Sequence, residues 1–288
     1  MPVPYSLATS DGWPIKTAKS KLLTCIEPSD CSSEFRSESY HVIDGNAMMH
    51  SICKLPRTFG QIAKLLFDML PKVERVDFVT DTFKTNSIKS LERLRRGTST
   101  KILLNGPEQT VPSDWHAFLS KDENKTQLIE FILSEWSSEK YTDLLKGRRI
   151  FYASGSKCFL LEVNEGVLDK IPILSLHSNQ EEADTRIILH VLHIAGTEKE
   201  IDVNTIIVRS PDTDVLLLLI HFSLDIQTHS IYFDTGTGNK RRLISIKAIV
   251  EKIGVQFSKA LLGFHAFTGC DTTSAFMRKG KVRPLKLL

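Results

Sequence analysis

From His41 onward the chain alternates between two patterns of apolar and polar positions. Short apolar runs at His41–Asp44, Arg75–Thr80, Ile171–Leu176, Thr205–Arg209 and Ser230–Phe233 predict strands. Arg149–Val163 predicts a hairpin turning at Ser154-Gly155-Ser156. Between them lie segments of helical period. Asn46–Cys53 and Thr58–Leu70 read as helices separated at Pro56, because proline cannot continue the hydrogen-bond ladder. The second puts Ile62, Leu65, Leu66 and Met69 on one face. Thr126–Trp136 reads as amphipathic, Ser87–Arg96 as a basic helix, and Thr213–Phe222 as a buried apolar run. Ser178 opens a predicted helix to about Ala195, with Ser178 and Glu181 spaced as a capping box. Helices near Ser245–Ile253 and Val255–Phe264 complete the pattern. Strands alternating with helices predict an α/β fold, a mostly parallel central sheet flanked by helices. Residues 1–40 are polar and rich in Ser and Thr, and read as a poorly ordered leader before one domain spanning 41–288.

Composition narrows the class. The 288 residues are 41% hydrophobic and 25% charged, an ordinary globular balance with ample material for a core. No run of about 18 apolar residues exists, so no membrane span is expected. The leader has no apolar stretch of the kind a secretory signal needs. Five scattered cysteines, odd in number and without C-x-x-C spacing, fit reduced thiols and a nuclear or cytoplasmic protein. The net charge of +3 is uneven. Residues 84–101 carry Lys84, Lys89, Arg93, Arg95, Arg96 and Lys101 against Glu92, and residues 272–288 carry Arg278, Lys279, Lys281, Arg283 and Lys286 with no acid. Each segment is locally +5, which leaves −7 for the rest. Two basic segments beside an acidic remainder suggest a polyanion held over a metal site; the plainer alternative is two solvated faces.

The acids give that suggestion its chemistry. Asp44, Asp81, Glu182 with Asp184, Asp212 with Asp214, and Asp271 each sit at the end of an apolar, strand-like run. A strand that stops at an acid delivers it to the C-terminal edge of a sheet, where α/β proteins place ligands. Two carboxylates about 4 Å apart repel by roughly 4 kcal/mol at an effective dielectric near 20. Such a cluster protonates, spreads or binds a cation, and oxygen-only ligands select Mg²⁺ or Mn²⁺. Ser210-Pro-Asp-Thr-Asp is the sharpest signal: if the chain stays extended, Asp212 and Asp214 project to one side. The competing reading makes Asp212 an N-cap, which accounts for one aspartate and not the other. Removing the Asp212 carboxylate is then expected to keep the fold and to relieve repulsion. Glu182 and Asp184 lie two apart, about 200° around a helix, so both serve one site only if the helix end faces it. Capping and turn formation remain alternatives for Asp44, Asp81 and Asp271, and Asp77 reads as a solvated strand residue. His190 and His193 lie three apart on one helix but among apolar neighbours, which points to packing, and His265 likewise reads as structural. No Gly-x-Ser-x-Gly elbow, dinucleotide loop or Walker motif occurs.

Taken in order, Val42-Ile-Asp44-Gly, Phe78-Val-Thr-Asp81, Ile171-Pro-Ile-Leu followed by Glu182-Ala-Asp184, Ser210-Pro-Asp212-Thr-Asp214 and Thr268-Gly-Cys-Asp271 resemble the PIN-like nucleases, and more narrowly their flap endonuclease/XPG branch. The resemblance covers 41–288; similar segments also resemble uncharacterised animal proteins of mobile-element character. It implies the PIN-like fold with seven carboxylates, Asp44, Asp81, Glu182, Asp184, Asp212, Asp214 and Asp271, holding two Mg²⁺ or Mn²⁺ ions about 3.5–4 Å apart for phosphodiester hydrolysis. It implies an arch-like helical insertion at 84–148, with Lys84, Lys89, Arg93, Arg95 and Arg96 contacting phosphates. It also implies a helical DNA-binding motif at 265–288, with Arg278, Lys279 and Lys281 on the backbone. The chain departs from the family in the shorter second acid of Glu-Ala-Asp, in keeping only Gly280 of the duplex-gripping hairpin, in ending at Leu288 before that motif is complete, and in its forty leading residues. The expected function is a metal-dependent nuclease acting on single-stranded, flap or end-containing DNA, with RNA as a further substrate class and no membrane partner. The alternatives are a catalytically silent nucleic-acid-binding module and a phosphohydrolase of small esters, which leaves the basic segments unexplained.

Overall fold

The computed structural model describes residues 4, 6–28, 38–83, 100–198, 203–271 and 273–286. In chain order its main elements are α1 (Ser20–Ile26), β1 (Tyr40–Asp44), α2 (Gly45–His50), α3 (Phe59–Met69), β2 (Arg75–Val79), α4 (Trp115–Ser120), α5 (Asp122–Trp136), β3 (Arg149–Ser154), β4 (Lys157–Asn164), β5 (Val167–Pro172), α6 (Ala183–Thr197), β6 (Thr205–Arg209), α7 (Thr213–Phe222), β7 (Ser230–Thr235), β8 (Arg242–Ser245), α8 (Ile246–Ile253) and α9 (Val255–Phe267). They divide into two units, Arg36–Ser210 and the paired segments Met1–Phe35 with Pro211–Leu288.

In the first unit six strands lie in the order β5-β4-β3-β2-β1-β6. β1 runs parallel to β2 and β6, and β2 parallel to β3, while β4 and β5 add antiparallel strands at one edge. The expected α/β class with a mostly parallel sheet is what the chain forms. Asp44 stands opposite Val79, Ile43 opposite Arg209, and Val79 opposite Ala153, so the C-terminal ends of β1, β2, β3 and β6 share one edge. Strand alternation sorts the faces. Val76 and Phe78 face a cluster made with α3, α4 and α5, whereas Asp77 faces α6, which packs on β1 and β2.

That cluster corrects one expectation. Of the segment 84–148 read as an arch, residues 84–99 lie outside the described residues, and the rest sends its apolar side chains into the core. Trp136 is fully buried, donates to Ala63 O at 2.9 Å, and meets Phe67, Phe78 and Tyr152 edge-on at 5.3–5.4 Å. Trp115, Phe118, Leu128 and Ile132 join it. The face of α3 is also rotated from the sequence reading: Ile62, Ala63, Leu66 and Phe67 are buried, while Met69 is exposed.

Asp77 is not solvated. It is fully buried and held by Arg75 Nε (2.8 Å), Arg75 Nη2 (3.0 Å) and His190 Nδ1 (2.6 Å). Arg75 also donates to Glu198 and lies 3.8 Å over the Phe151 ring. Burial pushes the Asp77 carboxyl up, but the Arg75 guanidinium and the His190 hydrogen bond outweigh it and hold it below the ordinary value. Burial likewise pushes His190 down, so it is neutral near pH 7.

In the second unit β7 and β8 pair antiparallel, Tyr232 opposite Ser245. Residues 6–28 do not behave as a poorly ordered leader. Ala8 and Pro14 form a bridge, Met277 N donates to Ser6 O (2.8 Å), and Ala275 N donates to Ile15 O (2.9 Å). α1 buries Leu22, Leu23 and Ile26 and packs on α8. Glu27 pairs with Arg242 through two hydrogen bonds.

Candidate metal centre

In the Arg36–Ser210 unit the sheet edge carries the first acids. Asp44 ends β1 and caps α2: its Oδ1 accepts from Ala47 N at 2.9 Å and its Oδ2 from Ser210 Oγ, just past β6, at 3.0 Å. The tight β1–α2 junction needs Gly45, since a Cβ there would lie 2.6 Å from the Phe78 ring. Asp81 follows β2, and its Oδ1 accepts from Ala183 N at 2.7 Å. Thr82 N also donates to Glu181 O at 2.8 Å. These bonds dock the start of α6 beside the sheet edge, with Glu182 at its N-cap and Asp184 in its first turn. They also explain why α6 starts at Ala183 and not at Ser178: the Asp81 carboxylate supplies the cap from another strand. Ser178 instead accepts from Gln180 N at 3.2 Å in a local turn.

The other unit gathers three more. Asp212 is the N-cap of α7, extended at φ −84° and ψ 127°, and accepts from Asp214 N at 2.9 Å. Asp214 is already helical, so the extended Asp-Thr-Asp expected from sequence is replaced by a cap and a first-turn residue. The two carboxylates converge all the same. Lys19 Nζ lies 3.4 Å from Asp212 Oδ1, 2.7 Å from Asp214 Oδ2 and 2.8 Å from Asp271 Oδ2. His265 Nε2 stands 3.1 Å from Asp214 Oδ1. Asp271 reaches the cluster because the chain reverses at Gly269, where φ is +96° and a Cβ would meet Ala275 at 2.6 Å. Among the described residues after Asp271 the next helical turn is Val282–Leu285.

Electrostatics follow the geometry. Burial pushes Asp214 up, but hydrogen bonds from His265 and Lys19 outweigh it and hold its carboxyl low. Burial acts to lower Lys19, and the Asp214 and Asp271 carboxylates outweigh that and raise it above its ordinary value. Lys19 is therefore an ammonium at every physiological pH. The donor set fits a hard divalent cation: it is all carboxylate, and it already encloses a positive charge.

The basic residues divide. Lys84, Lys89, Arg93, Arg95 and Arg96 lie outside the described residues. Arg278 and Lys279 are exposed. Lys281 is not a surface contact: it is 3% exposed and donates to His265 O and Thr268 Oγ1, both at 3.0 Å. Burial lowers its pKa to about 8. His190 and His193 do not form a metal pair; both face the Arg75–Asp77 network. A cavity of about 620 Å³ lined by Tyr40, Lys72, Glu74 and Arg148 lies at the opposite, N-terminal end of β1 and β2.

Sequence reasoning missed Lys19 and His265. The Leu22, Leu23, Ile26 spacing, an apolar stripe at helical period, was the available sign that residue 19 borders a docked helix. Among the described residues no helix is long and apolar enough to cross a membrane.

No family model matches the chain, and no curated protein matches its sequence. Among solved structures it is similar to flap endonuclease-1 from Methanococcus jannaschii, at 14% identity over 92% of this chain and 75% of that one, with a TM-score of 0.43.

Proposed function

We propose that this chain is a divalent-metal-dependent nuclease that hydrolyses phosphodiester bonds in DNA. In this reading Asp44, Asp81, Glu182, Asp184, Asp212, Asp214 and Asp271 together hold two Mg²⁺ or Mn²⁺ ions. The observation that carries it is the convergence of Asp212, Asp214 and Asp271 on one cation position, from two chain segments more than fifty residues apart. Asp44 and Asp81 at one sheet edge, in the order the sequence resemblance requires, support it. Bound ions of this kind supply a water of lowered pKa and stabilise the leaving oxygen. The protein's own part is to fix the carboxylates before any ion arrives. Asp44 and Asp212 are immobilised as helix caps, Asp81 by the Ala183 amide, and Asp214 by Lys19. Arg278 and Lys279 are proposed to contact the phosphate backbone. Cleavage directed by DNA structure or by a 5′ end, and a nuclear or cytoplasmic location, belong to the same proposal.

One observation favours a second reading. The Lys19 ammonium already neutralises part of the acidic cluster, as a binding module without turnover would allow. Labelled single-stranded, duplex and 5′-flap DNA, incubated with Mg²⁺, Mn²⁺ or EDTA beside Asp212→Asn, separates the two. Metal-dependent cutting lost in the variant supports the nuclease. Salt-sensitive binding without cutting supports the module.

A further inference from the structure

Lys19 reaches the three aspartates on a fixed stretch of backbone. Just before it, Lys16 Nζ donates to Asp271 O at 2.8 Å, and Thr17 Oγ1 lies 3.3 Å from Thr268 O and 3.2 Å from Gly269 O. Just after it, α1 buries Leu22, Leu23 and Ile26. The same segment therefore braces the Thr268–Asp271 turn and delivers a cation to its carboxylate. An ammonium offers three N–H donors, and here it meets three carboxylates. One positive charge against three negative charges leaves the cluster anionic, so it still attracts a divalent ion. Mg²⁺ binds carboxylate oxygen at about 2.0–2.1 Å. An ion seated among oxygens that each lie 2.7–3.4 Å from Nζ leaves no room for the ammonium.

We propose that Lys19 is the resident counter-cation of the Asp212–Asp214–Asp271 cluster, and that a divalent ion binds these aspartates by displacing it. The N-terminal segment then sets how readily the site loads: it holds the carboxylates together without metal and competes with metal when it arrives. This rests on the metal-centre reading above and adds a loading step to it.

Two measurements on the full chain test it. Mn²⁺ binding followed by electron paramagnetic resonance compares the wild type with Lys19→Met and Lys19→Arg. If Lys19 leaves the cluster in about one molecule in ten, Lys19→Met binds Mn²⁺ about ten-fold more tightly. Lys19→Arg, which keeps the charge, stays near the wild type. In parallel, the wild type is pulsed with an amine-acylating reagent and read by mass spectrometry. Lys19 acylation rises several-fold between EDTA and saturating Mn²⁺, while Lys64, on a helix surface, does not change. Equal Mn²⁺ affinity in wild type and Lys19→Met, with Lys19 acylation unmoved by bound metal, overturns the displacement and leaves the metal centre standing. Absence of Mn²⁺ binding in both proteins overturns the metal centre and the displacement with it. If Lys19→Met fails to fold, the acylation of the wild type decides alone.

Discussion

Replacing Arg75 by methionine tests how the buried charges of the sheet are balanced. Arg75 and Asp77 are both fully buried and joined by two hydrogen bonds of 2.8 and 3.0 Å. At an effective dielectric near 20, charges about 3 Å apart attract by roughly 5–6 kcal/mol. Desolvation costs several kcal/mol per ion, so the intact pair is near neutral for stability. Breaking it is different. In Arg75→Met the Asp77 carboxylate keeps only the neutral His190 as donor, and an uncompensated buried charge costs about 3–5 kcal/mol. For a unit of this size that is a loss of roughly 6–20 °C in Tm. Asp77→Leu alone leaves Arg75 with Glu198, and the double variant removes the mismatch, so it loses less than the sum of the singles by about 1–3 kcal/mol. The pH dependence has a definite sign. In the wild type Asp77 is depressed on folding, so its contribution is present above the unfolded carboxyl pKa and is lost as pH falls through the lower folded value. In Arg75→Met burial outweighs the one remaining hydrogen bond, from His190, and raises that carboxyl, so folding takes up a proton and the deficit shrinks as pH falls from 7 toward 5. Urea unfolding at the two pH values measures both effects. A loss below about 1 kcal/mol, or a deficit that does not change with pH, refutes the reasoning.

Three further outcomes follow from other parts of the structure. Gly269→Ala, at φ +96° with Ala275 in the way, is expected to cost at least about 1–3 kcal/mol and to weaken Mn²⁺ binding by displacing Asp271; thermal unfolding and metal titration read the two effects. Trp136→Ala is expected to cost about 3–5 kcal/mol because that side chain is fully buried in the core; an unchanged Tm would return its segment to a free-standing arch. Lys281 has a folded pKa near 8, below its ordinary 10.5, so the unfolded chain binds more protons between those values and stability rises with pH across that window. Lys281→Met should flatten that rise in urea unfolding between about pH 8 and about pH 10.5.

The architecture was legible where period and punctuation agreed. β1, β2, β3, β6 and β7 stand within a residue or two of their apolar runs, and the hairpin turns at Gly155 as expected. Errors arose where a partner distant in sequence decides the local state. Asp77 looks like a solvated strand residue until Arg75 and His190 close over it, because strand alternation does not tell which face a helix will cover. Helix α6 starts five residues late because Asp81 supplies its cap. Asp212, Asp214 and Asp271, which meet at Lys19, were legible in the sequence as acids in short clusters. Their local geometry was not: Asp212 and Asp214 converge through a cap and a helical turn. The compensating charge was invisible because Lys19 lies nearly two hundred residues from Asp212 and Asp214, in a polar segment that reads as a poorly ordered leader. That charge reverses one expectation. With Lys19 seated among the aspartates and Asp212 capping α7, Asp212→Ala should lose about 1 kcal/mol of cap and gain nothing from relieved repulsion.

Calorimetric titration of Mn²⁺ into the wild type, Asp44→Asn and Asp212→Asn tests the central claim most directly. Asparagine keeps each helix cap and removes one ligand charge, so folding is preserved and coordination is not. The account predicts two ions per chain in the wild type and weaker binding in both variants, because each variant removes one proposed ligand charge. A wild type that takes up no ion, or variants that bind as tightly as it does, would contradict it.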